Sequence, residues 1–245
     1  MIILSIRKRT EISIVLKFLV FAFMAAGMLG CTVVSDTFMG SPSIFLKYFT
    51  MQSNIWIGVL ALVLAFVQLK HLKSEVYEFS RPLLLLQQVF TVSITLTGVV
   101  FCFVLLPAML ATTPEYAPYI LHWTQILLHV VVPVLAVVDL LAFTRTFHYN
   151  LKRFDFLWSA LPPLYYLGFS RIGYVKNWDF GGANYPYFFL NYDSPAGFFG
   201  FSNEMPYFMG VFYWILVIVV LVLGVSLLYT TVVNKRSIKL REQQI

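Results

Sequence analysis

Six long apolar runs, separated by short polar stretches, dominate the chain. They cover residues 12–34, 44–69, 83–106, 120–143, 154–175 and 207–231. Each exceeds the roughly 20 residues that a helix rising 1.5 Å per residue needs to cross a hydrocarbon core about 30 Å thick. Backbone groups in lipid must be paired within the structure, which leaves helices or a closed barrel. These runs are continuous rather than alternating, so they predict an all-α polytopic membrane protein: a bundle of six transmembrane helices forming a single domain over residues 1–245. The first run follows Arg7, Lys8 and Arg9 and includes Lys17, near enough to its start to snorkel toward headgroups. A basic start before an apolar core is also the layout of a signal peptide. The length of this run and the spans that follow it fit a membrane-spanning helix.

The interruptions within the runs refine this picture. Pro82 suits the first turn of the third span. Gln87, Thr91, Thr95, Gly98 and Cys102 share one face of that span, a small and weakly polar seam of the kind that lets membrane helices pack closely. Pro162-Pro163, near the middle of the fifth span, predicts a kink or a break into a re-entrant piece. The connection 176–206 is the longest, and it places nine aromatic residues from Phe180 to Phe201 among several glycines. Long connections of this kind are often functional. One expectation is a lid over the outer mouth of the bundle, its turns permitted by glycine. The other is an aromatic belt at the interface.

Composition agrees. The chain is 60% hydrophobic and 11% charged, against about 25% charged in an ordinary soluble domain, with a mean hydropathy of +0.81. The net charge of +6 falls in connections rather than on a face interleaved with base-stacking aromatics, which argues against nucleic-acid binding. Thirteen of the 17 Lys and Arg residues lie in the N-terminal segment, the second-to-third and fourth-to-fifth connections and the C-terminal tail. The first-to-second and third-to-fourth connections carry none. The positive-inside rule then predicts both termini cytoplasmic and 176–206 outside, in a multi-pass protein of the cell membrane. The halves show no convincing repeat, which weakens a transporter built from inverted repeats. Cys31 and Cys102 both fall in apolar runs and read as small buried hydrophobes.

The polar residues inside the spans carry the candidate chemistry. Lys47, Thr50 and Asn54, at i, i+3 and i+7, form one stripe on the second span. His122, Gln125 and His129 form a matching stripe on the fourth. Polar stripes in lipid need internal partners, so these two are expected to face each other. Thr50 lies ~9 Å and His129 ~14 Å along their helices from the outer ends, at similar depth. A threonine hydroxyl is a weak nucleophile that needs a base within hydrogen-bond reach, and neutral imidazole is the usual one. A purely structural hydrogen bond between packed helices is the alternative. Asn54, one turn from Thr50, and Gln125 are candidate donors to an oxyanion. Asp139, ten residues beyond His129 and ~80° round the helix, cannot orient the imidazole. It reads as a proton-transfer group or as half of an ion pair with a basic residue such as Arg145. Arg171, near the outer side, reads as a carboxylate ligand or as a side chain snorkelling to headgroups. His122 and His129 lie ~10 Å apart along one helix and cannot ligate opposite faces of one haem. No metal-ligand spacing or phosphate loop is present, and no cofactor is expected.

The run Lys47-Tyr48-Phe49-Thr50 with its polar cluster, His129 on the fourth span and the six-span layout resemble the androgen-induced gene one family and its bacterial relatives. The bacterial resemblance covers most of the chain, including Asn184-Tyr185-Pro186-Tyr187-Phe188-Phe189-Leu190-Asn191, and Gln52-Ser53-Asn54 belongs to that type. The likeness to the animal proteins rests mainly on architecture and on Thr50 and His129. Those proteins are membrane threonine hydrolases that cleave fatty acid esters of hydroxy fatty acids. The resemblance implies a lipid-ester hydrolase with Thr50 as nucleophile and His129 as base, acting on a membrane lipid or lipid-like substrate. The contrasting expectation is a transporter or lipid- or solute-binding protein whose polar stripes line a path, with proton conduction through His129 and Asp139 as a specific form.

Overall fold

The computed structural model describes residues 6–33, 41–72, 79–144 and 151–242. Within them the chain is helical apart from turns and one isolated bridge between Phe201 and Met209. Five helices are long and apolar enough to cross a membrane: α1 (Ile6–Val33), α2 (Phe49–Lys70), α3 (Arg81–Thr112), α4 (Trp123–Phe143) and α6 (Val211–Glu242). The fifth expected span takes another form. It begins as a 3₁₀ segment, Asp155–Ala160, and becomes α-helical only over Leu161–Val175, here α5. Pro162 and Pro163 open α5, where a missing N–H and a fixed φ cost nothing, so the expected break lies ahead of the prolines.

One end of the bundle is basic. There Arg9 donates to the Ala142 carbonyl, Arg236 to that of Leu141, and Arg81 holds both oxygens of Asp155 at 2.6 and 2.8 Å. At the opposite, aromatic end, Gly173 of α5 packs on Phe180, whose carbonyl accepts the Tyr48 hydroxyl just before α2. The segment 155–175 therefore runs the length of the bundle.

Several boundaries differ from expectation, for identifiable reasons. The chain continues helically past Pro107, which had marked a loop, because a π turn at Phe101–Leu105 precedes it. A second π turn, Leu127–Val131, precedes Pro133 at the same offset. A proline cannot donate to the carbonyl four residues back, and its ring crowds that carbonyl. Widening the preceding turn to i→i+5 bonding, as in Leu106 N–H to Phe101 O and Val132 N–H to Leu127 O, relieves the conflict. At Gly98, a β-carbon would lie 2.8 Å from the His129 carbonyl oxygen and 3.3 Å from Pro133. Glycine therefore sets how closely α3 approaches α4 beside the second wide turn.

The segment 176–206 folds back onto the bundle. Asp179 Oδ1 accepts the amides of Gly181 and Gly182, at φ +93° and +94°, and Lys47 donates to the Asp179 carbonyl at 2.7 Å. Those amides, Gly182 first, and the nearby Lys47 ammonium hold the Asp179 carboxyl below its ordinary range. Phe189 and Leu190 are buried with Phe49 and Trp214, joining the segment to α2 and α6.

Candidate functional site

Thr50 is the second residue of α2, and His129 sits in the wide turn of α4. Thr50 Oγ1 and His129 Nε2 meet there at 3.3 Å, both side chains buried, whereas Lys47 of the expected stripe lies in the turn ahead of α2 and bonds Asp179 instead. His129 Nδ1 lies 2.9 Å from the Gln125 carbonyl, which can only accept, so Nδ1 carries the proton. Nε2 then presents its lone pair to the Thr50 hydroxyl. Phe101, in the wide turn of α3, stacks on the imidazole with ring centroids 4.0 Å apart and fixes its plane. A backbone carbonyl thus does the orienting for which no carboxylate was evident in the sequence.

Asn54 and Gln125 take other work. Asn54 Nδ2 donates to the Thr50 carbonyl at 2.8 Å and to the Leu128 carbonyl at 3.1 Å, which ties α2 to α4. With its donors spent on two acceptor-only groups, Asn54 has none to offer an oxyanion. The Gln125 amide points to Cys31 Sγ, 3.8 Å away, and only its carbonyl belongs to the site. His122 leaves the stripe altogether. It precedes α4 in an extended conformation, half-buried, with Nδ1 3.0 Å from Thr124 Oγ1. Ser53, from the second-span polar cluster, bonds Thr97 of α3 at 2.8 Å.

One participant had not been singled out by sequence. The Tyr187 phenol accepts the Thr50 amide N–H at 3.4 Å. Burial pushes this phenol above its ordinary range, so it stays protonated and able to donate. Tyr166 of α5 stands beside it and gives its own proton to the Lys47 carbonyl at 3.0 Å. The signal in the sequence was a tyrosine inside an otherwise apolar Pro-Tyr-Phe-Phe-Leu run, which periodicity cannot assign to a partner.

Thr50 and Tyr187 both line a cavity of about 140 Å³. Its walls come from α2, α3, Ala160 and α5, α6 and the aromatic segment. Thr50, Thr97, Tyr166 and Tyr187 are its only polar residues. His129 is not in the wall, so the Thr50 hydroxyl stands between the imidazole and the apolar space.

Asp139 belongs to a separate cluster toward the basic end. Lys17 Nζ reaches Asp139 Oδ2 at 2.6 Å, and Ser13 donates to Oδ1 at 2.6 Å. Gln87 donates to Oδ2 at 2.9 Å and to Thr144 Oγ1 at 3.0 Å. Lys17, expected to snorkel, is 1% exposed and is the ion-pair partner. Arg145 lies outside the described residues. Arg171 is exposed at the aromatic end, its guanidinium 4.4 Å from the Tyr192 ring centroid and 5.0 Å from that of Tyr174, apart from the Thr50 cavity. Among the described residues no three His, Cys, Asp or Glu side chains gather as a metal site.

No protein-family model, no curated protein and no solved structure matches this chain.

Proposed function

We propose that the protein is an intramembrane hydrolase of lipid esters, of the kind that the likeness to the androgen-induced gene one family implies. The observation that carries the reading is Thr50 Oγ1 held between a correctly protonated His129 and the end of an apolar cavity. In this scheme the Thr50 oxygen attacks the ester carbonyl while its proton passes to His129 Nε2. The developing oxyanion takes a hydrogen bond from the Tyr187 hydroxyl. The C–O bond to the alcohol breaks, and that oxygen leaves with the proton from His129. Water, deprotonated by the same imidazole, then attacks the acyl-threonine, and the acid departs as Thr50 regains its proton. The 3.3 Å separation is long for a hydrogen bond between neutral groups, but catalytic bonds commonly tighten once substrate is bound.

The membrane arrangement that goes with this reading has six crossings. The segment 155–175 combines six 3₁₀ residues with 15 α-helical ones, a rise of about 34 Å, enough for the hydrocarbon core. The basic end faces the cytoplasm with both termini, and the aromatic segment faces outward as a cover over the Thr50 cavity. A cysteine placed at Asn191 should react with a membrane-impermeant thiol reagent from outside; labelling only from the cytoplasm would reverse the orientation.

The catalytic test uses purified protein in nanodiscs and an ester of a hydroxy fatty acid. Thr50→Ala and His129→Ala should lose turnover by at least about 10²-fold, the usual worth of a nucleophile or its base, while remaining folded. Thr50→Ser should keep part of it because the hydroxyl remains. Full activity in folded Thr50→Ala would eliminate the nucleophile and leave the pair a helix-packing bond.

A further inference from the structure

The cavity extends well beyond what an ester group needs. From Tyr187 it runs toward the basic end between Ile215 and Val222 of α6 on one side and Leu167 and Ala160 on the other. Ile215 and Val222 lie about 10 Å apart along their helix. Just past Val222 the two walls are tied together. Ser159 and Ser226 hydroxyls meet at 2.8 Å, and Gln88 Nε2 reaches Ser226 Oγ at 3.2 Å and Thr230 Oγ1 at 2.8 Å. Helix α6 packs on the segment Asp155–Ala160, on α3 and on the aromatic segment. Leu164 of α5 lines the cavity and is also 51% exposed on the outside of the bundle, so the cavity has a side opening there, beside Ile218 and Val219 of α6.

We infer that this cavity is a binding site for one unbranched acyl chain that enters sideways between α5 and α6, and that Ala160 and Val222 set the longest chain it takes. The walls offer no hydrogen bond away from the Thr50 end, so a polar or branched headgroup gains nothing there. Each methylene buried multiplies affinity about fourfold. The gain stops at the serine tie, because a longer chain would have to break buried hydrogen bonds to pass. The position of the carbonyl next to Thr50 rests on the hydrolase reading; the chain site itself does not.

The test uses a fatty acid with a diazirine at its methyl end, photocrosslinked to detergent-purified Thr50→Ala protein and competed with octanoate, laurate or palmitate. The label should fall on peptides containing Ala160 or Val222. Ala160→Leu in the same background should weaken the longest effective competitor about tenfold or more relative to octanoate, the worth of two methylenes. Val222→Ala should shift the preference toward longer chains, so the idea stays testable if one variant fails to fold. Labelling elsewhere, or the same order of competitors in folded variants, would overturn the inference even if ester hydrolysis is found. Labelling as expected without any hydrolysis by the unsubstituted protein would instead sink the hydrolase and leave an acyl-chain binding site.

Discussion

Thr50 with His129 and Lys17 with Asp139 are both buried side-chain pairs, and both use α4. The first is neutral, 3.3 Å long, and stands at the edge of a cavity of about 140 Å³. The second is charged and 2.6 Å long, with Ser13 and Gln87 on the same carboxylate. The cavity beside it is about 10 Å³. A desolvated charge pair persists only when its remaining lone pairs and protons are also satisfied, which demands a tight, partner-rich setting. A neutral pair carries no such demand and can stand loosely beside an open volume. The same helix thus fixes one site and leaves the other able to receive something.

The largest expected effect tests the fixed side. Lys17→Met or Asp139→Leu leaves one uncompensated charge in a closed site and should cost about 3–5 kcal/mol, while the double replacement costs less than either. Unfolding in detergent would measure this; single variants as stable as the parent would mean that the pair is not desolvated. On the receptive side, Tyr187→Phe should lower kcat on a hydroxy fatty acid ester by about 10²-fold, with KM nearly unchanged and stability held. A KM effect alone would make Tyr187 a wall rather than a donor. Gly98→Ala pushes a methyl group against the His129 carbonyl. Overpacking there should cost about 1–3 kcal/mol and open the Thr50–His129 contact while the Lys17–Asp139 pair stays intact. A structure of that variant would show whether the two clusters are separable.

The helices were legible in the sequence because apolar length alone decides them in lipid. The meeting of Thr50 with His129 was legible because polar side chains inside apolar helices seek each other. What the periodicity could not carry was each polar group's partner. Asn54 looks like a donor in a stripe, yet its amide is consumed by the Thr50 and Leu128 carbonyls. His122 has the right spacing but falls one residue before α4 begins. Lys17 read as a snorkelling residue because nothing in its local spacing names Asp139, 122 residues away, as its partner. Tyr187 lies in a segment with no period at all, so nothing short of the fold brings it to Thr50.

The smallest expected effect lies in the aromatic segment 176–206. The Asp179 carboxyl is held below its ordinary range, so its contribution to the turn at Gly181 and Gly182 is present above the unfolded carboxylate pKa and fades as pH falls through the folded one. Trp178 fluorescence should report loosening in acid, and Asp179→Asn should abolish that pH dependence. An unchanged acid transition in Asp179→Asn would assign it to another group.

The wide turn at Leu127–Val131 takes in one residue more than an α-helical turn. Every side chain after it on α4 is therefore rotated by about 100° from where a regular helix would carry it. The ~80° that uninterrupted winding assigns between His129 and Asp139 does not survive this offset. The turn works as a phase shifter: it aims His129 at α2 and, further along, Asp139 at α1. Rewinding it, as Pro133→Ala permits, would swing the carboxylate off Lys17 without touching either residue.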